Sequence, residues 1–214
     1  MRITVVSPND APRRAAPGQV VVDTTSHNKK QGHLFSPFHL GPVPLYGETV
    51  ALNMENAWQY AKVYASMLEA DGTVGANYFK WARQGWANPQ AVRYPVRKGA
   101  KPLFSLWDGE QMSYVEARKA IYVPLYRDAV KKSGGYAVLK ELATSHEELV
   151  LVDFDAYPHK TAKMSYADVL NNATRPMGHA FVLAMMLELG PDIDAATVES
   201  RCNYRTVPEQ ASMF

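Results

Sequence analysis

The sequence predicts an α+β fold: one compact, mostly helical domain with a few short strands. Its 214 residues are 47% hydrophobic and 21% charged, a composition typical of globular proteins, and this length is enough to bury a sizeable core. Apolar residues recur at helical spacing in several windows, whereas the β-branched runs are short. We therefore expect a single domain over residues 1–214, with its core at about residues 20–190 and a C-terminal extension at 191–214.

The strands are predicted from short apolar and β-branched runs at residues 3–6, 19–23 and 149–154. The clearest helix is predicted at about residues 53–70, where an apolar stripe has a period of 3.6 residues and Asn53 is a suitable N-cap. A capping box at Ser113 opens a second long helix to about residue 132, which Pro124 should kink or divide. Shorter helices are predicted at 76–84, at 136–144, after Ser165, and at 177–189 with Pro176 in its first turn.

Several classes of protein are excluded by what the chain lacks. No run of about 18 apolar residues is present, and the start has no signal-peptide layout. The single cysteine, Cys202, cannot form an intrachain disulfide and fits a reducing cytosol, so a cytoplasmic location is expected. The chain has no glycine-rich phosphate loop, GxSxG, HExxH or paired CxxC motif, and its six histidines are not at helical metal-ligand spacing. The sequence therefore predicts no metal site.

Basic and aromatic residues are interleaved between Gly72 and Trp107, where no Asp or Glu occurs. Cations pair with phosphate oxygens and rings stack on bases, so this segment favours a ligand with phosphates and flat bases. The alternative is a basic surface loop over an aromatic-rich core. The net charge of the whole chain is only +2, which favours a nucleotide over polymeric nucleic acid.

Two groups of carboxylates are candidates for catalysis. Glu55 lies in the first turn of the predicted helix, and Gln59 and Lys62 continue a polar stripe along it. The alternative for this first group is an ordinary solvent-exposed helix face. Asp153 and Asp155 come directly after the third strand, where side chains commonly face a crevice. The alternative for this second group is an Asx turn that ends the strand.

Four segments form an ordered set of motifs: FSPF at 35–38, MENAWQYAK at 54–62, KPLFSLW at 101–107 followed by EARKA at 116–120, and the stretch at 149–157. In order and approximate spacing they resemble the SNF, sEhyyQ..K, KPLRxDW … MrkAl and LVE … NDxyWG motifs of the NADAR superfamily. That superfamily includes riboflavin-intermediate N-glycosidases and ADP-ribosyl glycohydrolases. The resemblance covers about residues 33–160, and Pro158 and His159 replace the Trp-Gly of the last motif.

The resemblance implies a divergent, phage- or bacterium-encoded NADAR-like hydrolase that cleaves an N-glycosidic bond without a metal or redox cofactor. It places the catalytic carboxyls on Glu55 and Asp155, in either order of acid/base and ribosyl contact, and a base-stacking ring on Trp107. The residues expected to bind substrate are Phe38 as a second wall, Lys62, Arg93 and Lys98 for phosphate, and Tyr94 and Asp153.

The expected substrate is a phosphoribosyl nucleotide or an ADP-ribosyl adduct, free or carried on a nucleic acid, and no membrane partner is expected. Two alternatives stay open. In the first, the chain is a catalytically inactive protein that binds a nucleotide or ADP-ribose, as the replaced Trp-Gly motif suggests. In the second, it is a nucleic-acid-binding protein that uses the basic aromatic segment 78–107.

Overall fold

Three small sheets hold the strands of the chain in the computed structural model, which describes residues 1–203. In chain order the strands are β1 (Arg2–Val6), β2 (Gln19–Asp23), β3 (Val43–Pro44), β4 (Val50–Ala51), β5 (Lys62–Val63), β6 (Phe104–Trp107), β7 (Glu110–Met112) and β8 (Glu148–Val152). The sheets are β1–β8–β2, β3–β4 and β5–β6–β7, of which the first is parallel and the other two are antiparallel.

Helices make up a larger share of the described residues than strands, so the predicted α+β class is confirmed. They are α1 (Gly32–Phe35), α2 (Met54–Gln59), α3 (Ala76–Trp86), α4 (Tyr114–Ala117), α5 (Val123–Lys132), α6 (Gly135–Ser145), α7 (Tyr166–Asn171), α8 (His179–Leu189) and α9 (Ala195–Asn203), with a 3₁₀ turn at Ala65–Met67 and a π-helical turn at Arg118–Tyr122.

The parallel sheet brings three chain segments together at one edge. Its central strand β8 pairs with β1 on one side and β2 on the other, and residues 149–152 are buried, as expected for a parallel strand covered on both faces. All three strands run in the same direction, so their carboxyl ends meet at one edge. There Thr24 donates from its backbone N–H and from Oγ1 to the carbonyl of Val152, at 3.1 Å and 2.8 Å, and Asp153 follows directly.

The core is built around α8, which is buried along its first eight residues and packs against β1, β8 and α5. This helix is apolar on every face, as a helix inside a core should be. The core also includes Ile3 and Val198, so it extends beyond both limits of the predicted 20–190 span, and the C-terminal extension contributes to it. Residues 204–214 of that extension lie outside the described residues. No described helix is both long enough and apolar enough to cross a membrane.

The predicted helix over residues 53–70 is wrong beyond its first two turns. Asn53 is the N-cap, as expected, but α2 ends at Gln59. The chain then forms strand β5, which pairs antiparallel with β6. Ala61 and Val63 are fully buried while Lys62 is half-buried, which is a period of two rather than 3.6. Pairing with a strand about forty residues further along the chain thus overrides the local helical spacing.

The other element predictions need smaller corrections. The capping box at Ser113 is present, but the helix it opens is divided by the π-helical turn, and Pro124 lies at the start of α5. Pro124 has no N–H to donate, and it comes directly after the last bond of the π-helical turn, from the Val123 N–H to the carbonyl of Arg118. Pro176 is not in a first turn, since α8 begins at His179 with Gly178 as its N-cap. The third strand stops at Val152, two residues before its predicted end.

Candidate functional site

A pocket of about 260 Å³ lies where the carboxyl edge of the parallel sheet meets α2, the start of α8 and the segment after α3. Seven of the nine predicted site residues line it, although they come from separate parts of the chain. They are Phe38, Glu55, Lys62, Arg93, Tyr94, Asp153 and Asp155.

Glu55, Gln59 and Lys62 form a chain of hydrogen bonds along one wall. Glu55 is only 7% exposed, and its Oε1 accepts from Gln59 Nε2 at 2.9 Å. The Lys62 ammonium donates to Gln59 Oε1 at 2.7 Å and lies 4.7 Å from the centroid of the Trp58 ring. The Gln59 amide therefore separates the carboxyl from the amine, and the two charged groups are coupled through it.

Burial shifts the pKa values of both ends of this chain. Burial raises the pKa of Glu55, and the charge of Asp155 adds to the rise, although the amide of Gln59 and the charges of Lys62 and Arg93 oppose it. Burial lowers the pKa of Lys62 to about 8. Glu55 therefore keeps its proton to a higher pH than an ordinary glutamate, and Lys62 is partly neutral near physiological pH.

Asp155 is held by Arg93, which comes from the basic aromatic segment. The Arg93 Nη2 donates to Asp155 Oδ1 at 3.0 Å and to Oδ2 at 2.8 Å, and both side chains are about one-third exposed. Burial nevertheless raises the pKa of Asp155; Arg93 opposes the rise and the charge of Asp153 adds to it. The pocket thus contains two carboxyls with raised pKa values and different neighbours.

Asn56 brings Arg93 to the pocket. This residue of α2 is fully buried, and its side chain donates to the carbonyls of Asn88 at 3.0 Å and Gln90 at 2.9 Å. Its Oδ1 accepts from the backbone N–H of Val92 at 2.8 Å. One buried amide therefore anchors the segment immediately before Arg93, which makes Asn56 a structural part of the site.

Asp153 forms a buried ion pair with His179. Its Oδ2 lies 3.0 Å from His179 Nδ1 and accepts from the backbone N–H of Ala180 at 2.9 Å, while His179 Nε2 lies 2.9 Å from the carbonyl of Thr24. Both ring nitrogens therefore face oxygens that can only accept, which requires the imidazolium form. A Cβ at Gly178 would lie 2.4 Å from Asp153 Oδ2, so this position requires glycine.

The charges of this pair stabilise each other. Burial alone would raise the pKa of Asp153, but the charge and hydrogen bond of His179 more than offset it and lower the pKa to about 2. Burial would likewise lower the pKa of His179, and Asp153 instead raises it. Asp153 Oδ1 also accepts from the backbone N–H of Asp155 at 3.0 Å. The oxygens of Asp153 are thus engaged by the protein, which favours a positioning role over the predicted contact with substrate.

Two predicted site residues do not reach the pocket. Trp107, at the end of β6, does not line it and packs at 5.0 Å from the Tyr46 ring. Lys98 is exposed outside the lining, and the neighbouring Arg97 lines the pocket instead. The ring that contacts Lys62 is that of Trp58.

The basic aromatic segment contributes residues both to the core and to the pocket. Tyr78 and Trp86 are 2% and 4% exposed and belong to the core, as the alternative interpretation expected. Tyr94 and Arg97 of the same segment line the pocket. No group of three or more His, Cys, Asp or Glu side chains within residues 1–203 is arranged to hold a metal ion.

Comparison with known proteins identifies a family but no activity. Residues 8–183 match the model described as a family of unknown function, DUF6939. The chain belongs to the DUF6939 family. No curated protein and no solved structure matches it. The matched residues of this DUF6939 chain include the whole lining of the pocket, from Thr25 to His179.

Sequence reasoning missed three residues of the site in this DUF6939 chain: Asn56, Arg118 and His179. His179 follows a glycine at the start of an apolar helix, and a histidine there is a detectable signal, although nothing local pairs it with Asp153. Asn56 lies next to Glu55 in the MENAWQYAK motif, but nothing in that motif indicates its contacts with residues 88–92. Arg118, which is 1% exposed, lies on a segment that reads as ordinary helix.

Proposed function

We propose that the chain hydrolyses the N-glycosidic bond of a phosphoribosyl nucleotide or an ADP-ribosyl adduct, with two carboxyls assisting and no metal ion taking part. The observation that supports this most directly is the presence of Glu55 and Asp155 in one pocket, close enough for the charge of one to raise the pKa of the other. Cleavage of this bond passes through an oxocarbenium-like ribosyl centre, which an anion stabilises. It also needs an acid to protonate the leaving nitrogen.

Glu55 suits the acid/base role. A carboxyl that is 7% exposed, with a pKa raised by burial, retains a proton that it can donate to the leaving nitrogen. As the C1′–N bond breaks, that nitrogen takes the proton, and water adds its oxygen to C1′ and returns a proton to the carboxylate. Asp155 then contacts the ribosyl centre or the water. The same geometry supports the exchanged assignment of the two carboxyls.

The rest of the lining suits a phosphorylated ligand with a flat base. Phe38 and the half-exposed Tyr94 offer ring faces, and Lys62 and Arg93 offer cations for phosphate. The NADAR resemblance supports the same roles for Glu55 and Asp155. Trp107 has no such support, because its ring packs against Tyr46 outside the pocket.

An inactive nucleotide-binding protein is the second candidate. The observation that favours it is the engagement of both Asp155 oxygens by Arg93, together with the replacement of the Trp-Gly motif by Pro158 and His159. Binding to nucleic acid through residues 78–107 has less support, because Tyr78 and Trp86 are buried and cannot stack on bases.

The test is a panel of phosphoribosyl nucleotides, ADP-ribosyl conjugates and ADP-ribosylated oligonucleotides, incubated with wild type, Glu55→Gln and Glu48→Gln. Glu48 is exposed and outside the pocket, so Glu48→Gln is the matched control. We expect wild type and Glu48→Gln to release a base or amine, detected by mass spectrometry, and Glu55→Gln to lose at least about a hundredfold in rate. Binding without release by any of the three would favour the second candidate. Equal release by all three would refute the role of Glu55.

A further inference from the structure

Arg118 is a charged side chain of the pocket to which the proposed reaction gives no role. It begins the π-helical turn Arg118–Tyr122 between α4 and α5, is 1% exposed, and lines the pocket. Turns of this type are rare and often occur at functional sites. The π-helical turn has more residues per turn than the helices on either side of it. It places the Arg118 guanidinium where bulk water hardly reaches it.

Most of the donors of Arg118 are used to hold the end of α7. Nη1 donates to the carbonyls of Val169 at 3.0 Å, Leu170 at 2.9 Å and Asn172 at 2.9 Å, and Nη2 donates to the carbonyl of Arg175 at 3.0 Å. These bonds tie the last turn of α7 and the segment that follows it to Arg118. Within residues 1–203, however, Arg118 forms no salt bridge with a carboxylate, and its four hydrogen bonds to backbone carbonyls come from Nη1 and Nη2.

None of these four hydrogen bonds uses the Nε–H of the guanidinium. Nε and Nη2 share the side of the group that binds carboxylates and phosphates in a two-point arrangement. The Tyr114 ring also contacts the guanidinium, with its centroid 4.6 Å from Arg118 Cζ, a cation–π interaction. A buried cation without a carboxylate is costly, and an anion from outside would compensate it.

The carboxyls that line the pocket are occupied elsewhere. Asp153 pairs with His179, Asp155 pairs with Arg93, and Glu55 accepts from Gln59. We infer that Arg118 binds a phosphate group of the ligand through its Nε edge. The choice of phosphate rests on the proposed function, which supplies a phosphorylated ligand; the binding step does not depend on turnover.

The experiment follows the arginine Nε–Hε signals of ¹⁵N-labelled full-length wild type while inorganic phosphate replaces chloride at constant ionic strength. We expect the Arg118 signal to move downfield and to saturate, because the Nε–H gains a charged acceptor. Acetate is titrated in parallel. A shift with acetate and none with phosphate would overturn the assignment to phosphate, and no saturable shift with phosphate would overturn the inference itself.

A substitution provides the second measurement. Arg118→Lys keeps the charge and removes the Nε edge, and we expect calorimetry to show phosphate binding about tenfold weaker. Arg127→Lys is the matched control, because Arg127 also donates to a backbone carbonyl, that of Ile193 at 2.9 Å, and does not line the pocket. Equal phosphate affinity in wild type and Arg118→Lys would overturn the inference. Should Arg118→Lys fail to fold, the wild-type titration decides alone.

The two proposals can fail separately. A saturable phosphate shift at Arg118 in a protein that cleaves no member of the nucleotide panel would leave the anion site standing and reject the hydrolase. Cleavage by wild type, with an unmoved Arg118 signal, would leave the hydrolase standing and reject the anion site.

Discussion

The buried pair of Asp153 and His179 makes a prediction whose size follows from the structure. The substitution Asp153→Asn keeps the shape of the side chain but removes the negative charge beside the His179 imidazolium, which is 7% exposed. In the folded protein the pKa of Asp153 is about 2, against an ordinary value of 3.8. At 1.36 kcal/mol per pKa unit, this difference corresponds to about 2 kcal/mol of stability from the ionised form. Removing one partner of a buried ion pair typically costs roughly 3–5 kcal/mol, so we expect a loss of about 2–4 kcal/mol.

The pH dependence follows from the direction of each shift. Because the folded pKa of Asp153 is lowered, its contribution is complete above about pH 4 and is lost as the pH falls towards 2. Because the folded pKa of His179 is raised above 6.5, its contribution is complete below about pH 6.5 and is lost as the pH rises through the raised value. The difference in the free energy of unfolding between wild type and Asp153→Asn should therefore be largest between about pH 4 and 6.5.

The assay is urea unfolding of wild type, Asp153→Asn and Asp128→Asn at several pH values. Asp128 has an exposed side chain and pairs with the adjacent Arg127, so Asp128→Asn should change stability by less than about 0.5 kcal/mol. The assignment of a charged buried pair would be refuted if Asp153→Asn lost as little stability as Asp128→Asn at pH 5.5. It would also be refuted if the stability lost in Asp153→Asn did not decrease below pH 4 or towards alkaline pH.

Two further predictions concern Lys62 in β5 and Asn56 in α2. Burial lowers the pKa of Lys62 to about 8, so binding of a phosphorylated ligand, measured by calorimetry, should weaken as the pH rises through 8. Lys62→Met should bind the ligand more weakly and show no change of affinity at that pH. An unchanged pH dependence in Lys62→Met would assign the titration to another group. Asn56→Ala leaves the N–H of Val92 and the carbonyls of Asn88 and Gln90 without partners and should cost about 2–3 kcal/mol on urea unfolding, with weaker ligand binding because Arg93 is no longer held; wild-type stability would contradict the anchoring role.

The fold class and part of the candidate site follow from local sequence patterns, because those patterns reflect short-range physics. A capping residue such as Asn53 and a strand followed by carboxylates are visible within a few residues, and Glu55 and Asp155 were identified in this way. The end of α2 was not visible, because the apolar spacing of residues 53–70 fits a helix as well as a helix followed by a strand. Pairing of Lys62–Val63 with β6 decides between them, and that partner is about forty residues away.

The same limit applies to the contacts that give the site its charge balance. Arg93 meets Asp155 across 62 residues of chain, and Asp153 meets His179 across 26, so neither pair has a signature in a local window. Trp107 shows the converse error. Its motif suggested a stacking ring, but β6 carries that ring to Tyr46. A motif predicts which residue types occur together in sequence, and the packing of the sheet determines which side of the domain each one faces.

Arg93 links the order of the two carboxyls to the ligand. Its charge opposes the rise in the pKa of Asp155 and of Glu55, and it is the cation that the proposed function assigns to phosphate. A phosphate that draws Arg93 away from Asp155 would remove two hydrogen bonds from that carboxylate and add a negative charge nearby, and both changes raise the pKa of Asp155. Glu55 would feel the same two charge changes from further away and would keep its direct hydrogen bond, which is to Gln59. Ligand binding would therefore raise the pKa of Asp155 more than that of Glu55, and the assignment of acid and base depends on whether Arg93 stays on Asp155 when the ligand is bound.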